Sequence, residues 1–167
     1  MINWKEHYWY GVPITRARVE EVVRRAKSAQ TILDVGCNEG FLSQALIEKG
    51  FVVTSVDIDL SMAGRAKEMF GIDVVIADAC SLPFPENSFD VVIGGELLEH
   101  LGNPGAGLAE LFRVTKDRVL ITLPIGAYWL GEPTHKWQIE SSIVEHDEGI
   151  CEKLEKKVLV LEFLKRK

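Results

Sequence analysis

The residues best suited to chemistry stand in Ile32-Leu33-Asp34-Val35-Gly36-Cys37-Asn38-Glu39-Gly40, where an apolar run gives way to a glycine loop. Gly36 allows a tight turn and a close backbone approach to a ligand, and Gly40 allows close helix–strand contact. The helix that opens there leaves N–H groups unsatisfied, and they would stabilise a carboxylate such as an amino-acid tail. Asp34 adds an acid on the same edge, suited to an ammonium or to orienting the loop. Cys37 reads as a small packing residue rather than a nucleophile, because no neighbouring His or Lys would activate its thiol.

Further acids follow at the ends of later β-rich runs. Val56-Asp57-Ile58 puts a carboxylate where it can accept both hydroxyls of a ribose. In Ala77-Asp78-Ala79 the carboxylate can accept an exocyclic adenine amine, while the following backbone N–H donates to a ring nitrogen. Amino acid, ribose and adenine are the parts of S-adenosylmethionine.

These groups need a scaffold that brings strand ends together. Short β-rich runs occur at Thr31–Val35, Val52–Val56, Asp73–Ala77, Phe89–Ile93 and Arg118–Leu123. The first four start roughly 20 residues apart, about one strand plus a crossover helix. The runs are nearly continuous in apolar residues, as buried parallel strands are. Helices are expected over Thr15–Ala29, from Phe41 to a stop at Gly50, over Leu60–Phe70 with Asp59 or Ser61 as cap, and from Asn103-Pro104 to about Arg113. This alternation implies an α/β fold, a doubly wound, mostly parallel sheet whose ligands bind beyond the carboxyl ends of the strands. Beyond Pro124 the spacing of Ile139, Ile143, Ile150 and Leu154 predicts a helix over Ser141–Lys156, followed by a last strand over Lys157–Leu164.

Residues 31–124 resemble the class I, Rossmann-like S-adenosylmethionine-dependent methyltransferases, in particular their small-molecule branch. The resemblance rests on Asp34-x-Gly36-x-x-x-Gly40, Asp57, Asp78-Ala79, Leu82-Pro83-Phe84, Ser88-Phe89-Asp90-Val91-Val92 and Glu96-Leu97-Leu98-Glu99-His100-Leu101, in family order. Asn38 stands where the family usually has another glycine; Asn tolerates positive φ, so the turn is expected to survive. The resemblance implies S-adenosylmethionine as cofactor, held by Asp34, Gly36, Cys37, Asn38, Gly40, Asp57, Ile58, Asp78, Ala79 and Glu96. It divides the chain into an N-terminal lid and helix (1–30), a cofactor-binding core (31–124) and a shortened acceptor-side C-terminal part (125–167), all one domain.

Base-amine methyltransferases carry Asn/Asp-Pro-Pro-aromatic after the fourth strand. This chain has Gly94-Gly95-Glu96-Leu97 there, and it also lacks the Pro-Cys of cytosine-C5 enzymes, so DNA is not the expected acceptor. A net charge of −6 over 167 residues likewise argues against a general polyanion binder. The implied acceptor is a small molecule. His100 and His135 are the candidate catalytic groups; Glu96 and His100, four apart, would share a face of a helix, either facing the site or forming a surface ion pair. His7, His100, His135 and His146 are scattered, without zinc or iron spacing, so no metal is expected.

Trp4, Tyr8, Trp9 and Tyr10, with Tyr128, Trp129, His135 and Trp137, are expected either to roof the acceptor pocket as mobile lids or to close the core. With so short a tail, a homodimer or partner subunit is a candidate for completing that pocket. Cys37, Cys80 and Cys151 are sparse and lack any CxxC, which suits reduced thiols in the cytoplasm. No apolar run approaches the ~20 residues of a membrane-spanning helix, and the start of the chain lacks the order of a secretory signal. Two other readings bind a related ligand: a non-catalytic S-adenosylmethionine-binding module or partner subunit, and a nicotinamide-dependent oxidoreductase. The second is disfavoured because the loop is not Gly-x-Gly-x-x-Gly.

Overall fold

The computed structural model describes residues 13–124, 134–136, 150–154 and 158–165. Helix α1 (Pro13–Arg25) precedes strand β1 (Thr31–Val35), and helix α2 (Phe41–Glu48) leads to β2 (Val52–Asp57). Helix α3 (Leu60–Phe70) then leads to β3 (Val74–Ile76), and β4 (Phe89–Gly95) ends in a short 3-10 turn at Leu98–His100. Helix α4 (Pro104–Val114) runs into β5 (Thr115–Pro124), and β6 (Ile150–Leu154) and β7 (Val158–Leu164) complete the sheet.

The seven strands are ordered β3-β2-β1-β4-β5-β7-β6. Pairing is parallel from β3 through β5, and β7 inserts antiparallel between β5 and β6. The strand order reverses between β1, which is followed by β2 on one side, and β4 on the other. That switch point opens a crevice beyond the carboxyl ends of the strands.

Side-chain alternation sorts the core into two layers. Leu33, Val35, Val92, Val119 and Ile121 pack on one face with Leu111 and Val114 of α4. Ile32, Val91, Ile93 and Leu120 point the other way, onto Val22 and Ala26 at α1 and Leu46 of α2. Both faces are therefore covered, and that is why the central strands read as unbroken apolar runs. Helix punctuation follows the sequence. Asp59 caps α3 through bonds from the Ser61 and Met62 amides, Gly71 ends it at φ 73°, and Asn103 caps α4 ahead of Pro104.

The structure departs from expectation in places. Among the described residues no helix joins β3 to β4; the segment is irregular and is clamped by α4 instead. Arg113 donates to the carbonyls of Phe84 (2.8 Å) and Leu82 (3.0 Å), and Glu110 accepts the Leu82 amide at 2.7 Å. Pro83 and Pro85 lie in this segment, and proline opposes helix continuation. Of the helix expected over Ser141–Lys156, residues 141–149 and 155–156 lie outside the described residues, and the described part is corrected: Ile150–Leu154 is a strand paired antiparallel with β7. Its apolar residues satisfied a helical period, but short apolar runs do not distinguish helix from strand. The last strand stands as expected.

Candidate active site

The glycine loop is folded onto the end of β2. The amides of Gly36 and Cys37 both donate to the Val56 carbonyl, at 2.8 and 3.0 Å. The Asn38 amide donates to Asp57 Oδ2 at 2.7 Å, and Asp59 N donates to Asp57 Oδ1 at 2.9 Å. Each Asp57 oxygen thus takes one backbone bond, and an ionised carboxylate has acceptor capacity for about four. Asp57 is half-buried and keeps that capacity at the crevice edge.

The loop's backbone demands its residues. Gly36 and Gly40 sit at φ 73° and 83°, and Asn38 at φ 51°, the left-handed conformation that asparagine accepts. A Cβ on Gly36 would lie 2.9 Å from Leu97 Cδ1, so any side chain there requires Leu97 to shift, in addition to straining the left-handed backbone. Gly40 instead lets the loop approach α3: a Cβ there would come within 3.2 Å of the Ala66 Cβ.

Asp34 is buried beneath the loop rather than displayed on it, with 1% of its surface exposed. It accepts the Ser43 hydroxyl at 2.6 Å, and Ser43 in turn meets Ser55 Oγ at 2.7 Å. Burial pushes the Asp34 carboxyl up to about 6, with the Ser43 bond opposing. These bonds link Asp34 at the end of β1 to α2 and, through Ser43, to β2. Cys37 is buried and desolvation raises its thiol well above the ordinary value, in keeping with packing. Asp78 is exposed two residues past β3, with Oδ1 accepting the Cys80 amide at 2.8 Å; Ala79 is buried beside it. Ile58 and Leu60 flank the crevice with 68% and 72% of their surface exposed, apolar groups available to a flat ring.

After β4 the chain turns sharply. Glu96 adopts φ 49°, held by its amide's bonds to the Thr122 carbonyl (2.9 Å) and hydroxyl (3.1 Å). Its carboxylate pairs with Arg18 of α1, and its Oε1 is buried without a hydrogen-bond partner among the described residues. The α-helix expected to align Glu96 with His100 is corrected. Glu96 is left-handed and a 3-10 turn follows at Leu98–His100; Glu96 pairs with Arg18, and the His100 ring meets His135.

Sequence reasoning passed over Arg18 and Glu99. Glu99 is 1% exposed, neither carboxylate oxygen has a hydrogen-bond partner among the described residues, and burial raises its carboxyl to about 8, with Glu96 adding repulsion. The available signal was an acid set among Leu97, Leu98 and Leu101, a charge inside an apolar stretch. Two of the four histidines scattered in the chain come together in space, while His7 and His146 lie outside the described residues. His100 and His135 meet edge to face with ring centroids 4.8 Å apart. Trp4, Tyr8, Trp9, Tyr10, Tyr128, Trp129 and Trp137 lie outside the described residues.

A doubly wound sheet with a glycine loop after β1, acids after β2, β3 and β4, and an antiparallel final strand defines the class I methyltransferase fold. The family model described as "Methyltransferase domain" matches residues 33–123, more than half of the chain, and the protein belongs to that family. S-adenosylmethionine is the cofactor that goes with it; the tight Gly36 turn and the Asp57 carboxylate fit such a ligand. Membership displaces the nicotinamide reading.

The chain is 37% identical over 92 residues to a demethylmenaquinone methyltransferase from Renibacterium salmoninarum, covering 54% of this chain and 39% of that protein. It is 34% identical over 111 residues to a ubiquinone biosynthesis O-methyltransferase from Pseudomonas entomophila, covering 62% and 47%. It therefore spans less than half the length of either curated relative. The fold is similar to the crystal structure of an S-adenosylmethionine-dependent methyltransferase from Archaeoglobus fulgidus, with TM-score 0.77, 19% identity, and coverage of 92% and 93%. No helix among the described residues is long and apolar enough to cross a membrane.

Proposed function

We propose that this chain transfers a methyl group from S-adenosylmethionine to a small-molecule acceptor, a hydroxylated aromatic ring of the quinol type. The observation that carries the reading is the lock between the glycine loop and Asp57, with Asn38 N on Asp57 Oδ2 at 2.7 Å. It fixes an amide-lined turn and a ribose-accepting carboxylate as one rigid unit, and pre-set polar groups bind at lower reorganisation cost. The names of the two quinone-pathway relatives support the acceptor class.

When bound, S-adenosylmethionine supplies an electrophilic methyl group on a positively charged sulfur. Asp57 accepts the ribose hydroxyls, and Asp78 with the Ala79 amide reads the adenine edge against Ile58. The turn from Gly36 through Asn38 to Gly40, carrying Cys37, receives the amino-acid end, with Asp34 holding it from below. Arg18 and Glu96 border that end as an ion pair. His100 and His135, beyond the ends of β4 and β5, serve the acceptor's hydroxyl group. Residues 1–30 and 125–167 contribute the acceptor side and the last strands of this single domain; either the acceptor is small enough for this pocket, or a second copy or partner subunit completes it. The sparse cysteines favour a cytoplasmic setting.

Calorimetry with S-adenosylhomocysteine, then transfer of labelled methyl groups to a panel of hydroquinones and catechols, tests the proposal. Binding and label in the aromatic fraction are expected. Absence of binding by both sulfur compounds would overturn it.

A further inference from the structure

We propose that Glu99, His100 and His135 form a binding site for one divalent transition-metal ion of the zinc, manganese, cobalt or iron kind. One ligand atom from each of these side chains lies within 4.8 Å of the others. Around a cation bound at about 2.0–2.2 Å, neighbouring ligand atoms sit about 3–4 Å apart, so modest side-chain rotation closes the set. Two imidazoles with one carboxylate and no thiolate is the donor set of open catalytic zinc and non-haem iron sites; all-oxygen sites suit calcium and magnesium instead.

An independent observation points the same way. Glu99 is 1% exposed, yet both of its carboxylate oxygens lack a hydrogen-bond partner among the described residues. A buried carboxylate without donors is costly, and such groups in native proteins are paired or coordinate a metal. Arg18, whose charge acts on Glu99, is engaged with Glu96.

The cluster is also held in place by its own backbone. The Lys136 amide donates to the Glu99 carbonyl at 2.7 Å, and Thr134 Oγ1 lies 3.1 Å from His100 Nδ1. His135 is thus carried between two tethers to the turn that bears the other ligands, and a hydroxyl steadies the His100 ring, as outer-shell groups do for metal-bound imidazoles. Spacing along the chain offers no reason to expect a metal, because Glu99 and His100 follow β4 while His135 stands 35 residues further on.

Three protein ligands leave coordination positions open. At this edge of the sheet they suit an acceptor offering a hydroxyl oxygen, better still two adjacent ones, since a bound cation lowers the pKa of a coordinated hydroxyl. This last step rests on the proposed methyl-transfer reading; the metal site does not.

The test uses the 167-residue chain stripped with chelator and titrated with Zn²⁺, Mn²⁺ and Co²⁺ in turn, without S-adenosylmethionine. One equivalent of at least one ion is expected to bind, with visible absorption for Co²⁺ from a low-symmetry site. His135→Ala, in an exposed segment, should keep the thermal unfolding curve and weaken binding at least tenfold. Glu99→Gln, close in size and shape, should leave the metal-free chain folded and abolish the rise in melting temperature produced by metal. No binding by any of the three ions, or equal affinity in both variants and wild type, would overturn the site. Retained S-adenosylhomocysteine binding in that event would leave the methyl-transfer reading standing.

Discussion

Asn38 and Asp57 are 19 residues apart, yet the main-chain amide of the first and the carboxylate of the second meet at 2.7 Å. The bond ties the turn after β1 to the end of β2. Both halves of the cofactor crevice consequently share one anchor, and a change at Asp57 disturbs two contact surfaces together.

Asp57→Ala should weaken S-adenosylhomocysteine binding by about 1–3 kcal/mol, roughly five- to 150-fold, since it leaves the Asn38 and Asp59 amides and the ligand hydroxyls unpaired. Calorimetry reads this directly. Unchanged affinity would remove Asp57 from the binding site.

Replacing glycine by alanine separates backbone strain from crowding. At Gly50, φ 90° with nothing within 4 Å of a Cβ, the cost should be about 1 kcal/mol, the left-handed penalty alone. At Gly36, where Leu97 Cδ1 is 2.9 Å away, it should reach about 2–3 kcal/mol. Chemical denaturation of both variants measures the difference, and equal losses would mean that Leu97 yields freely.

Asp90 accepts the Gln30 and Thr31 amides at 2.9 and 2.8 Å and meets Lys116. The Thr31 amide bond leads in lowering its carboxyl from 3.8 to about 2. A depressed acid contributes stability that is present above its unfolded pKa and fades as the pH falls toward the folded one. Asp90→Asn should therefore cost about 1–2 kcal/mol at neutral pH, shrinking between pH 4 and 2. Urea unfolding across that range checks the trend. Asp34, raised by burial from 3.8 to about 6, has the opposite sign: its contribution favours folding below 3.8 and declines as pH rises through 6.

Arg18 and Glu96 should show coupling. Arg18→Ala leaves the Glu96 carboxylate unpaired, and Glu96→Gln should recover part of the loss, with an interaction energy of about 0.5–1.5 kcal/mol in a double-mutant cycle. Additive effects would mean that the pair contributes nothing to stability.

Most of the framework was legible in the sequence because local rules agreed with tertiary ones. The runs at Thr31 and Phe89 are central strands buried on both faces, and Asp59, Gly71 and Asn103 mark helix ends by side-chain or backbone chemistry that needs no distant partner. Asn38 was readable for the same reason. What escaped depended on distance. Ile150 and Leu154 fit two periodicities, and only pairing with β7 decides between them. Glu99 declares itself through burial, a property of the packed molecule, and His135 reaches His100 in a segment held by the Lys136 amide on the Glu99 carbonyl.

The insertion of β7 beside β5 also sets an order of events for the growing chain. Until residue 158 is made, the β5 edge from Val119 to Leu123 has no strand to pair with, although those residues, apolar apart from Thr122, are destined for burial. The pairs from Pro124↔Val158 to Arg118↔Leu164 enclose progressively longer stretches of chain, and shorter closures cost less entropy. The strand therefore zips from Pro124 backwards. The crevice end of the sheet is sealed first during synthesis, and the opposite end is the last to leave the reach of chaperones.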